Sequence, residues 1–393
     1  MKDTRLQEFD VIVVGGGPAG ATAAEELAST GHSVMLLDRA GRIKPCGGAV
    51  PPRLIRDFRI PDSQLVAKIR KARMISPKGK HVDIPIENGY VGMVDRENFD
   101  EFLRLRAAEA GAERVTGTFE AVEHADDGLT LVRWREGGQT RRAATRLVIG
   151  ADGARSNVAR QCVPGGDSIP YVIAYHEIVR SPEENWDPQR CDVIYDGRIS
   201  PDFYGWVFPH GPCSSVGMGT ELRGFDLKRA TADLRAASGL AEAETLRTEG
   251  APIPLKPLKR WDNGRDVVLA GDAAGVVAPA SGEGIYYAML GGQLAAEACA
   301  QCLATGDVRA LRSARKAFMR EHGRVFWVLG ILQKYWYKND KRRESFVKIC
   351  EDKDVQRLTF EAYMNKKLVR KKPMAHVRIF FKDLAHLMGL ART

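Results

Sequence analysis

Residues 10–38 read DVIVVGGGPAGATAAEELASTGHSVMLLD, and this segment predicts a β-strand, a glycine turn, a helix and a second strand, in that order. Residues 11–14 are all β-branched and apolar, which is typical of a strand buried on both faces of a parallel sheet. An alanine-rich helix over residues 21–29 follows, and residues 33–37 form the second strand. The segment therefore predicts the β-α-β start of a doubly wound sheet.

Three glycines in this segment have the spacing G-x-G-x-x-G. Gly15 allows a sharp turn, Gly17 allows backbone N–H groups to approach a pyrophosphate, and Gly20 allows the helix to pack against the strand. Asp38 ends the second strand about 20 residues beyond the glycines, which places its carboxylate for a ribose 2′-OH. A glycine turn without a ligand is the alternative, and the strand, helix and terminal acid in register disfavour it.

The composition is that of an ordinary globular chain, and its 393 residues suggest two or three domains. The net charge of +9 is unevenly distributed. Residues 309–393 hold 22 Lys or Arg against 8 Asp or Glu, a net of +14, which leaves residues 1–308 at −5. A basic tail of this kind indicates nucleic acid, an anionic membrane surface or an acidic partner.

The seven cysteines are odd in number and scattered, which argues against a disulfide framework and for a reducing compartment. Cys299 and Cys302 have C-x-x-C spacing without a second pair, so we expect core packing and no metal site. No apolar segment precedes the first strand, so we expect no signal peptide. The longest apolar run, residues 325–332, is too short to span a bilayer.

Two later segments repeat the pattern of a buried strand that ends in glycine and acid. Residues 147–149 lead into Gly150-Ala151-Asp152-Gly153, and residues 267–270 lead into Gly271-Asp272. Ligands of open α/β sheets lie at the carboxyl ends of strands, so we expect all three segments at one site. Between them, short strand-like runs with turn signals predict an inserted antiparallel sheet from about residue 164 to residue 261.

In this order and spacing, the three segments resemble the FAD-binding fold of the flavoprotein hydroxylases. The resemblance implies that Asp272 contacts the ribityl or ribose of FAD, and that a helix starting at Gly284 and Ile285 faces the diphosphate or isoalloxazine. It also implies that Arg96, on a helix capped by Asp95, lies along the cofactor. By the same resemblance Asp152 and Gly153, with Ser156 and Arg160, lie near FAD and the nicotinamide donor.

A narrower resemblance covers essentially the whole chain. Residues 44–48, KPCGG, resemble the K-x-C-G-G segment of the geranylgeranyl reductases, in which this loop runs past the flavin. Residues 201–209, PDFYGWVFP, fit that family's P-x-x-Y-x-W-x-F-P pattern at every defined position. The segments 345–373 and 375–392 resemble the chlorophyll and bacteriochlorophyll branch rather than the archaeal lipid branch.

The resemblance implies a fold class and a division into domains. The fold class is α/β, with a doubly wound, Rossmann-like FAD-binding domain of the hydroxylase type, an inserted antiparallel β substrate domain and a C-terminal helical segment. The FAD-binding domain comprises residues 1–74, 96–164 and 262–308. The substrate domain comprises residues 75–95 and 165–261, and residues 309–393 form a helical, basic, membrane-facing segment.

Tyr204, Trp206 and Phe208 alternate along a predicted strand, so they share one face and can line an apolar slot for an isoprenoid. Aromatic alternation alone is more typical of a plain β core, and the nine-residue match reverses this preference in favour of the slot. An isolated alkene is not polarised, so hydride transfer from a flavin must be accompanied by proton delivery to the other carbon. Cys46, near Lys44, is a candidate for that acid or for a gate in the loop, and an inert buried thiol is an equal alternative.

The cofactors implied by the resemblance are FAD and, as a transient electron donor, NADPH. A second G-x-G-x-x-G is absent, so no separate nicotinamide domain is expected, and no residue distinguishes NADPH from NADH. The expected cofactor-binding residues are Gly15, Gly17, Ala19, Gly20, Asp38, Cys46, Gly47, Ala49, Arg96, Ala121, Asp152, Asp272, Gly284 and Ile285.

The tail combines interfacial aromatics with basic residues. Residues 325–337 and an amphipathic helix over residues 377–390 lie beside the cluster Lys366, Lys367, Arg370, Lys371 and Lys372. Such helices lie in the plane of an anionic membrane surface, although a solvated helical subdomain is the alternative. Nucleic acid is not expected as a partner, because no base-reading motif accompanies the charge.

The function implied is reduction of a geranylgeranyl chain to phytyl with NADPH, on geranylgeranyl-bacteriochlorophyll or geranylgeranyl diphosphate. The enzyme would lie peripherally on the cytoplasmic side of a photosynthetic membrane, where contact with pigment-synthesis enzymes is open to it. An aromatic-ring hydroxylase and a non-catalytic prenyl-binding escort protein are the alternatives. The intact glycine and acid set argues against the escort protein.

Overall fold

The structure is a computed structural model that describes residues 6–39, 41, 43–87, 89–125, 128–364 and 366. The first part of the chain, up to residue 109, forms β1 (Glu8–Val14), α1 (Pro18–Ser29), β2 (Val34–Asp38), β3 (Ala49–Val50), α2 (Pro52–Asp57), β4 (Ala67–Ile69), β5 (Lys71–Ile75), β6 (His81–Pro85), β7 (Val91–Met93) and α3 (Arg96–Glu109). The middle of the chain forms β8 (Glu113–Thr116), β9 (Thr118–His124), β10 (Thr130–Glu136), β11 (Gln139–Gly150), α4 (Asn157–Cys162), β12 (Tyr171–Arg180), β13 (Arg190–Ile194), β14 (Gly205–His210), β15 (Cys213–Thr220), α5 (Leu227–Ala237) and β16 (Thr245–Pro254). The last third forms β17 (Val267–Leu269), α6 (Ile285–Thr305), α7 (Arg312–Trp336), α8 (Asp340–Ile349) and α9 (Lys353–Met364).

The first sheet has the strand order β8-β2-β1-β11-β10-β9, with β17 paired to β11. Strands β8, β2, β1, β11 and β17 pair in parallel, whereas β9 and β10 form an antiparallel hairpin on the long strand β11. The parallel part confirms the predicted doubly wound sheet. It also brings the carboxyl ends of β1, β11 and β17 side by side, as the three glycine and acid segments require.

The second sheet has the strand order β16-β12-β15-β14-β13-β5-β6, and a third, small sheet has the order β3-β7-β4. All neighbours in the second sheet are antiparallel except β13 and β5. The inserted antiparallel sheet is thereby confirmed. Lys71–Ile75 belongs to this sheet, so the predicted boundary after residue 74 falls inside a strand, and the domain division stays a prediction.

The sequence signals for the helices correspond to real capping interactions. The Asp95 carboxylate accepts hydrogen bonds from the N–H groups of Glu97 and Asn98 at the start of α3. Asp226 caps α5 in the same way through the N–H of Arg229. Such caps satisfy N–H groups that the first helical turn leaves without a partner.

The C-terminal helices pack on both sheets' cores rather than standing apart. Phe318 and Phe326 of α7 belong to the core of the first domain, and Trp336, Tyr337 and Val347 belong to the core around β14. Among the helices of the described residues, none combines the length and the apolar character needed to cross a membrane. The predicted tail helix over residues 377–390 and the lysines and arginine at 367 and 370–372 lie outside the described residues.

Candidate active site

The glycine turn after β1 is built by close backbone approach. Gly15 has φ +106°, and a Cβ atom there would lie 2.9 Å from the Cα atom of Asp152 and overlap the Ala151 carbonyl. A Cβ atom on Gly20 would overlap the carbonyl oxygen of Gly15, which explains why helix α1 can pack so tightly on this turn. A Cβ atom on Gly17, by contrast, would have no atom within 4 Å.

Asp38 lies next to the turn, as its position at the end of β2 predicts. A Cβ atom on Gly16 would lie 2.9 Å from Asp38 Oδ2. Arg104 Nη1 donates to the Gly16 carbonyl at 3.2 Å and lies 3.5 Å from Asp38 Oδ2. Burial raises the pKa of Asp38, although the Gly16 N–H and Arg104 oppose the shift. Arg104 was not predicted, because its contact with the turn depends on the packing of α3.

Two of the three glycine and acid segments meet at Lys44, and the first segment adjoins them through the contact of Gly15 with Ala151. Lys44 Nζ donates to Asp272 Oδ2 at 2.7 Å, and a Cβ atom on Gly153 would lie 4.0 Å from the same nitrogen. A Cβ atom on Gly284 would lie 3.7 Å from Asp272 Oδ1, so the start of α6 lies here as well. We call this assembly the glycine cradle, and it consists of Gly15, Gly17, Gly20, Asp38, Lys44, Gly153, Asp272 and Gly284.

Asp152 lies at the start of helix α4 and accepts hydrogen bonds there. Its carboxylate accepts hydrogen bonds from the N–H groups of Asn157 (2.6 Å) and Val158 (3.1 Å) and from the Ser156 hydroxyl, so it caps helix α4. Burial raises the pKa of Asp152. The contribution of Asp152 to cofactor binding stays a prediction. Arg160 pairs with Asn157 on the surface of the same helix.

The loop of residues 44–48 lies directly on strand β14. A Cβ atom on Gly47 would lie 3.1 Å from Phe208 Cδ2 and 4.0 Å from Trp206 Nε1. Gly48 has φ +72°, and a Cβ atom there would lie 2.5 Å from His210 Nε2. Two motifs separated by about 160 residues of sequence are thus in contact, and glycine is required where they touch.

Cys46, which is part of this loop, lies beside Arg96. Cys46 Sγ accepts from the N–H of Gly48 at 3.4 Å, and the buried Arg96 guanidinium hydrogen-bonds to the same sulfur. Arg96 also donates two 2.8 Å hydrogen bonds to the Asp100 carboxylate. Burial opposes the charge on Arg96, but Asp100 and Cys46 together hold its pKa above the usual value.

Tyr204, Trp206 and Phe208 share one face, with neighbouring ring centroids 6.1 and 6.3 Å apart. We call these three residues the aromatic wall. Val207, between them, points to the opposite face and packs with a different cluster. The Tyr204 hydroxyl donates to the Ser281 carbonyl at 2.5 Å, and burial raises the pKa of that hydroxyl. The wall therefore lies between the loop of residues 44–48 and the loop that leads into α6.

The remaining predicted residues have structural roles in the contacts described. Ala19 packs against Gly271 and Gly292, where α1 and α6 approach each other. Ala49 pairs with Met93 in the small sheet. Ala121 lies on β9 opposite Arg133, between two residues whose backbone groups contact Gln161. Ile285 begins α6 and is buried. Their contribution to cofactor binding stays a prediction.

A cavity of about 230 Å³ opens beside Cys46 and Arg96. Its lining includes the apolar residues Val94, Ile178 and Leu246. The charged and polar lining consists of Lys44, Cys46, Asp95, Arg96, His210, Cys213, Arg247 and Glu249. A larger cavity of about 350 Å³, beside Trp186, contains none of the predicted residues.

One buried ion pair in this region was not predicted. Lys366 pairs with Glu283, both side chains at most 3% exposed, and its ammonium lies 5.2 Å from the Tyr287 ring centroid. Glu283 Oε1 also accepts from the Tyr286 N–H at 3.2 Å, at the start of α6. The expectation that Lys366 belongs to an exposed basic cluster is therefore wrong. Burial lowers the pKa of Lys366, against the effect of Glu283.

These residues fit a dinucleotide cofactor such as FAD. Helix α1 begins at Gly17 without a side-chain cap, so its first N–H groups and the space at Gly17 suit a pyrophosphate. Asp38 suits a ribose, and Asp272 with Lys44 suits the middle of the cofactor. In class, the fold and site are those of a flavin-dependent oxidoreductase.

Solved structures share this fold. A geranylgeranyl bacteriochlorophyll reductase-like protein from Thermoplasma acidophilum matches with a TM-score of 0.83 at 22% identity, over 94% of this chain and 100% of that one. A flavin-dependent brominase matches with a TM-score of 0.76 at 18% identity, over 96% of this chain and 99% of that one.

Sequence comparison specifies the family. Residues 10–352 match the family model described as lycopene cyclase protein. The chain is 62% identical to a geranylgeranyl diphosphate reductase of Rhodobacter capsulatus, over 98% of both chains. It is 38% identical to the chloroplastic enzyme of that name from Oryza sativa, over 96% of this chain and 86% of that one. The Synechocystis enzyme of that name is 36% identical, over 96% and 97%.

The chain belongs to the geranylgeranyl diphosphate reductase family and, more broadly, to the lycopene cyclase protein family. These matches confirm the family predicted from residues 44–48 and 201–209, and the chain is therefore an oxidoreductase. The comparisons favour this function over the hydroxylase and escort-protein alternatives.

Proposed function

We propose that this enzyme binds FAD in the glycine cradle and uses NADPH to reduce a geranylgeranyl chain to phytyl. The acceptor would be geranylgeranyl-bacteriochlorophyll or geranylgeranyl diphosphate. The observation that carries the proposal is the close approach of Gly47 to strand β14, where a Cβ atom on Gly47 would lie 3.1 Å from Phe208 Cδ2 and 4.0 Å from Trp206 Nε1. Because the same loop reaches the cradle through Lys44 and Asp272, an apolar chain on the aromatic wall would lie beside a cofactor in the cradle.

Hydride would come from reduced FAD bound in the glycine cradle, and the chain's own residues would provide the apolar surface and the proton. The aromatic wall excludes water from the alkene. Tyr204 is a poor acid, because its hydroxyl is buried and already donates to Ser281. Cys46 is the candidate that holds the proton, at Sγ, because its thiol lies in the loop between wall and cradle.

Anaerobic turnover tests the function. Purified enzyme is incubated without oxygen with NADPH and either geranylgeranyl diphosphate or geranylgeranylated pigment, and the product is analysed by mass. Stepwise gains of a hydrogen pair support the reductase, and the better acceptor identifies the substrate. Turnover that requires oxygen, or a colourless protein that does not take up FAD, would contradict the proposal.

Cys46→Ala tests the proton donor. We expect this variant to retain FAD and to lose roughly 10²-fold in kcat, the scale of a lost general acid. Cys213→Ala is a matched control, because Cys213 lines the same cavity from the start of strand β15. A Cys46→Ala enzyme with the wild-type rate would show that the thiol is an inert part of the loop.

The exposed side of α7 supports a membrane-bound location on the cytoplasmic side of a photosynthetic membrane. Trp327 and Ile331 are 69% and 47% exposed, and exposed basic residues precede and follow them at helical spacing. The exposed basic residues of this stripe are Arg320, Arg324, Lys334 and Lys338. An aromatic and aliphatic strip between cations suits the interface of an anionic membrane. Not all of the predicted aromatic stretch takes part, since Val325 and Phe326 are buried.

Sedimentation with vesicles tests the membrane contact. We expect the enzyme to bind vesicles that contain phosphatidylglycerol, and to bind less as salt is raised. Ile331→Ser should weaken binding, whereas Leu222→Ser, at a comparably exposed leucine on the substrate domain, should not. Binding unaffected by salt, or lost equally in both variants, would contradict an electrostatic contact through α7. Contact with pigment-synthesis enzymes at the same membrane is a further part of this proposal.

A further inference from the structure

Trp206 of the aromatic wall is held by a chain of buried side-chain hydrogen bonds. Its Nε1 donates to Ser215 Oγ at 3.0 Å. Ser215 Oγ lies 2.8 Å from His176 Nδ1, and His176 Nε2 lies 2.9 Å from Glu249 Oε2. His176 is 2% exposed and Ser215 is 0% exposed. No sequence pattern predicts this series of hydrogen bonds, apart from a histidine within a strand of mostly apolar residues.

The hydrogen bonds have one consistent direction. An indole N–H can only donate, so Ser215 accepts from Trp206. Burial opposes ionisation of Glu249, but His176 and Arg247 hold its pKa below the usual value, so it is a carboxylate that accepts from His176 Nε2. In the neutral tautomer of His176 that carries its proton on Nε2, Nδ1 accepts from the Ser215 hydroxyl. Indole, hydroxyl, imidazole and carboxylate thus form a single donor-to-acceptor sequence.

The backbone register creates the space for these two rings. Gly217 of β15 pairs with His176 of β12 on one side and with Trp206 of β14 on the other. A Cβ atom on Gly217 would lie 2.7 Å from Trp206 Cζ2 and would overlap the His176 Cβ. Glycine at this position therefore lets both rings lie across the middle strand, where the hydroxyl of Ser215 can link them.

We propose that Ser215, His176 and Glu249 are positioning residues that fix the orientation of the Trp206 ring in the aromatic wall. The inference rests on the proposed function of that wall as the site of the prenyl chain. Trp206 lies 4.0 Å from the Cβ position of Gly47, so a rotated indole ring would change the contact between the wall and the loop that carries Cys46. Glu249, at the other end of the chain, lines the cavity beside Cys46.

A measurement on the indole itself tests the positioning without any turnover. In protein labelled with ¹⁵N-tryptophan, the Trp206 indole N–H signal is identified by its loss in Trp206→Phe. Ser215→Ala should shift this signal upfield and leave the other five indole signals of the six tryptophans in place. Ser214→Ala is the matched control, because Ser214 is equally buried and bonds to Ser181 on the other face. An unmoved Trp206 signal would overturn the inference whatever the enzyme's substrate is.

A double-mutant cycle then tests the effect on catalysis. Ser215→Ala should raise KM for the prenyl substrate roughly fivefold, the scale of one buried hydrogen bond, with FAD content unchanged. In the Trp206→Phe background, which has no indole N–H, the same substitution should change KM less than twofold. His176→Asn should retain more affinity than His176→Leu, since an amide oxygen can still accept from Ser215. Equal effects of Ser215→Ala in both backgrounds would overturn the role of Trp206.

Discussion

The glycine cradle and the aromatic wall are built in opposite ways. In the cradle the decisive groups are backbone, and close backbone contacts exist because side chains are absent at Gly15 and Gly20. In the wall the decisive groups are side chains, and Trp206 keeps its orientation through other buried side chains. The cradle should therefore be most sensitive to added atoms, and the wall to removed ones.

The largest effect is expected from one added methyl group in the cradle. In Gly20→Ala the new Cβ would overlap the Gly15 carbonyl oxygen, so α1 must move away from β1. We expect a loss of about 3 kcal/mol or more in the free energy of unfolding, together with loss of FAD. Urea unfolding and the flavin absorbance of the purified protein measure the two effects.

Gly17→Ala is the matched control for this prediction. Its Cβ would have no protein atom within 4 Å, so stability without cofactor should change by less than about 0.5 kcal/mol. FAD affinity should nevertheless fall, because the methyl group fills the space that suits the pyrophosphate. Wild-type FAD affinity in Gly17→Ala would show that the cofactor does not approach the turn at this residue.

The second prediction concerns the joint between cradle and wall. Glu283 lies between Gly282, which contacts Tyr204, and Gly284, which contacts Asp272, and Lys366 neutralises its charge. Glu283→Gln leaves a buried ammonium without its carboxylate, so we expect a loss of about 3 kcal/mol in urea unfolding. The double variant Glu283→Gln with Lys366→Met should recover most of it. Equal stability of the single and double variants would mean that the ion pair does not stabilise this joint.

The sequence allowed the cradle to be predicted far better than the wall's supports. Gly15, Gly17, Gly20 and Asp38 lie within one local β-α-β unit, where spacing alone defines the geometry. The side chains that hold Trp206 come from β12, β15 and β16, and only the register of a formed sheet brings them together. The burial of Lys366 likewise depends on long-range packing, since the same lysine is equally typical of an exposed basic tail.

The third prediction is that acid lowers the free energy of unfolding through His210, which lies where the loop of residues 44–48 meets the aromatic wall. Burial lowers the pKa of His210 to about 4, and His176 and Arg247 act in the same direction while Asp95 and the Phe208 carbonyl oppose it. The unfolded chain, with a pKa near 6.5, binds the proton more readily, so stability falls as pH decreases from about 6.5 towards 4. We expect a loss of about 2 kcal/mol between pH 7 and pH 5 from this residue.

His210→Asn isolates this contribution. An amide nitrogen can keep the hydrogen bond to the Phe208 carbonyl, but it does not titrate. The variant should lose about 2 kcal/mol less stability than the wild type between pH 7 and pH 5 in urea unfolding. Burial also lowers the pKa of His322 to about 4, so some acid sensitivity should remain in both proteins. Parallel pH profiles would show that His210 is not held neutral against Gly48.

The smallest effect should come from a change that leaves the wall apolar but reduces its surface. Phe208→Leu removes ring surface at a half-buried position, so the free energy of unfolding should change little. KM for the prenyl substrate should rise roughly fivefold, which corresponds to about 1 kcal/mol of binding free energy. Val207→Ala, one residue away and fully buried on the other face, should show the reverse, with a loss of about 2 kcal/mol in unfolding and an unchanged KM. Steady-state kinetics and urea unfolding of the two variants thus separate the face that contacts substrate from the face that stabilises the sheet. If both variants changed KM alike, the wall would act only as part of the β core.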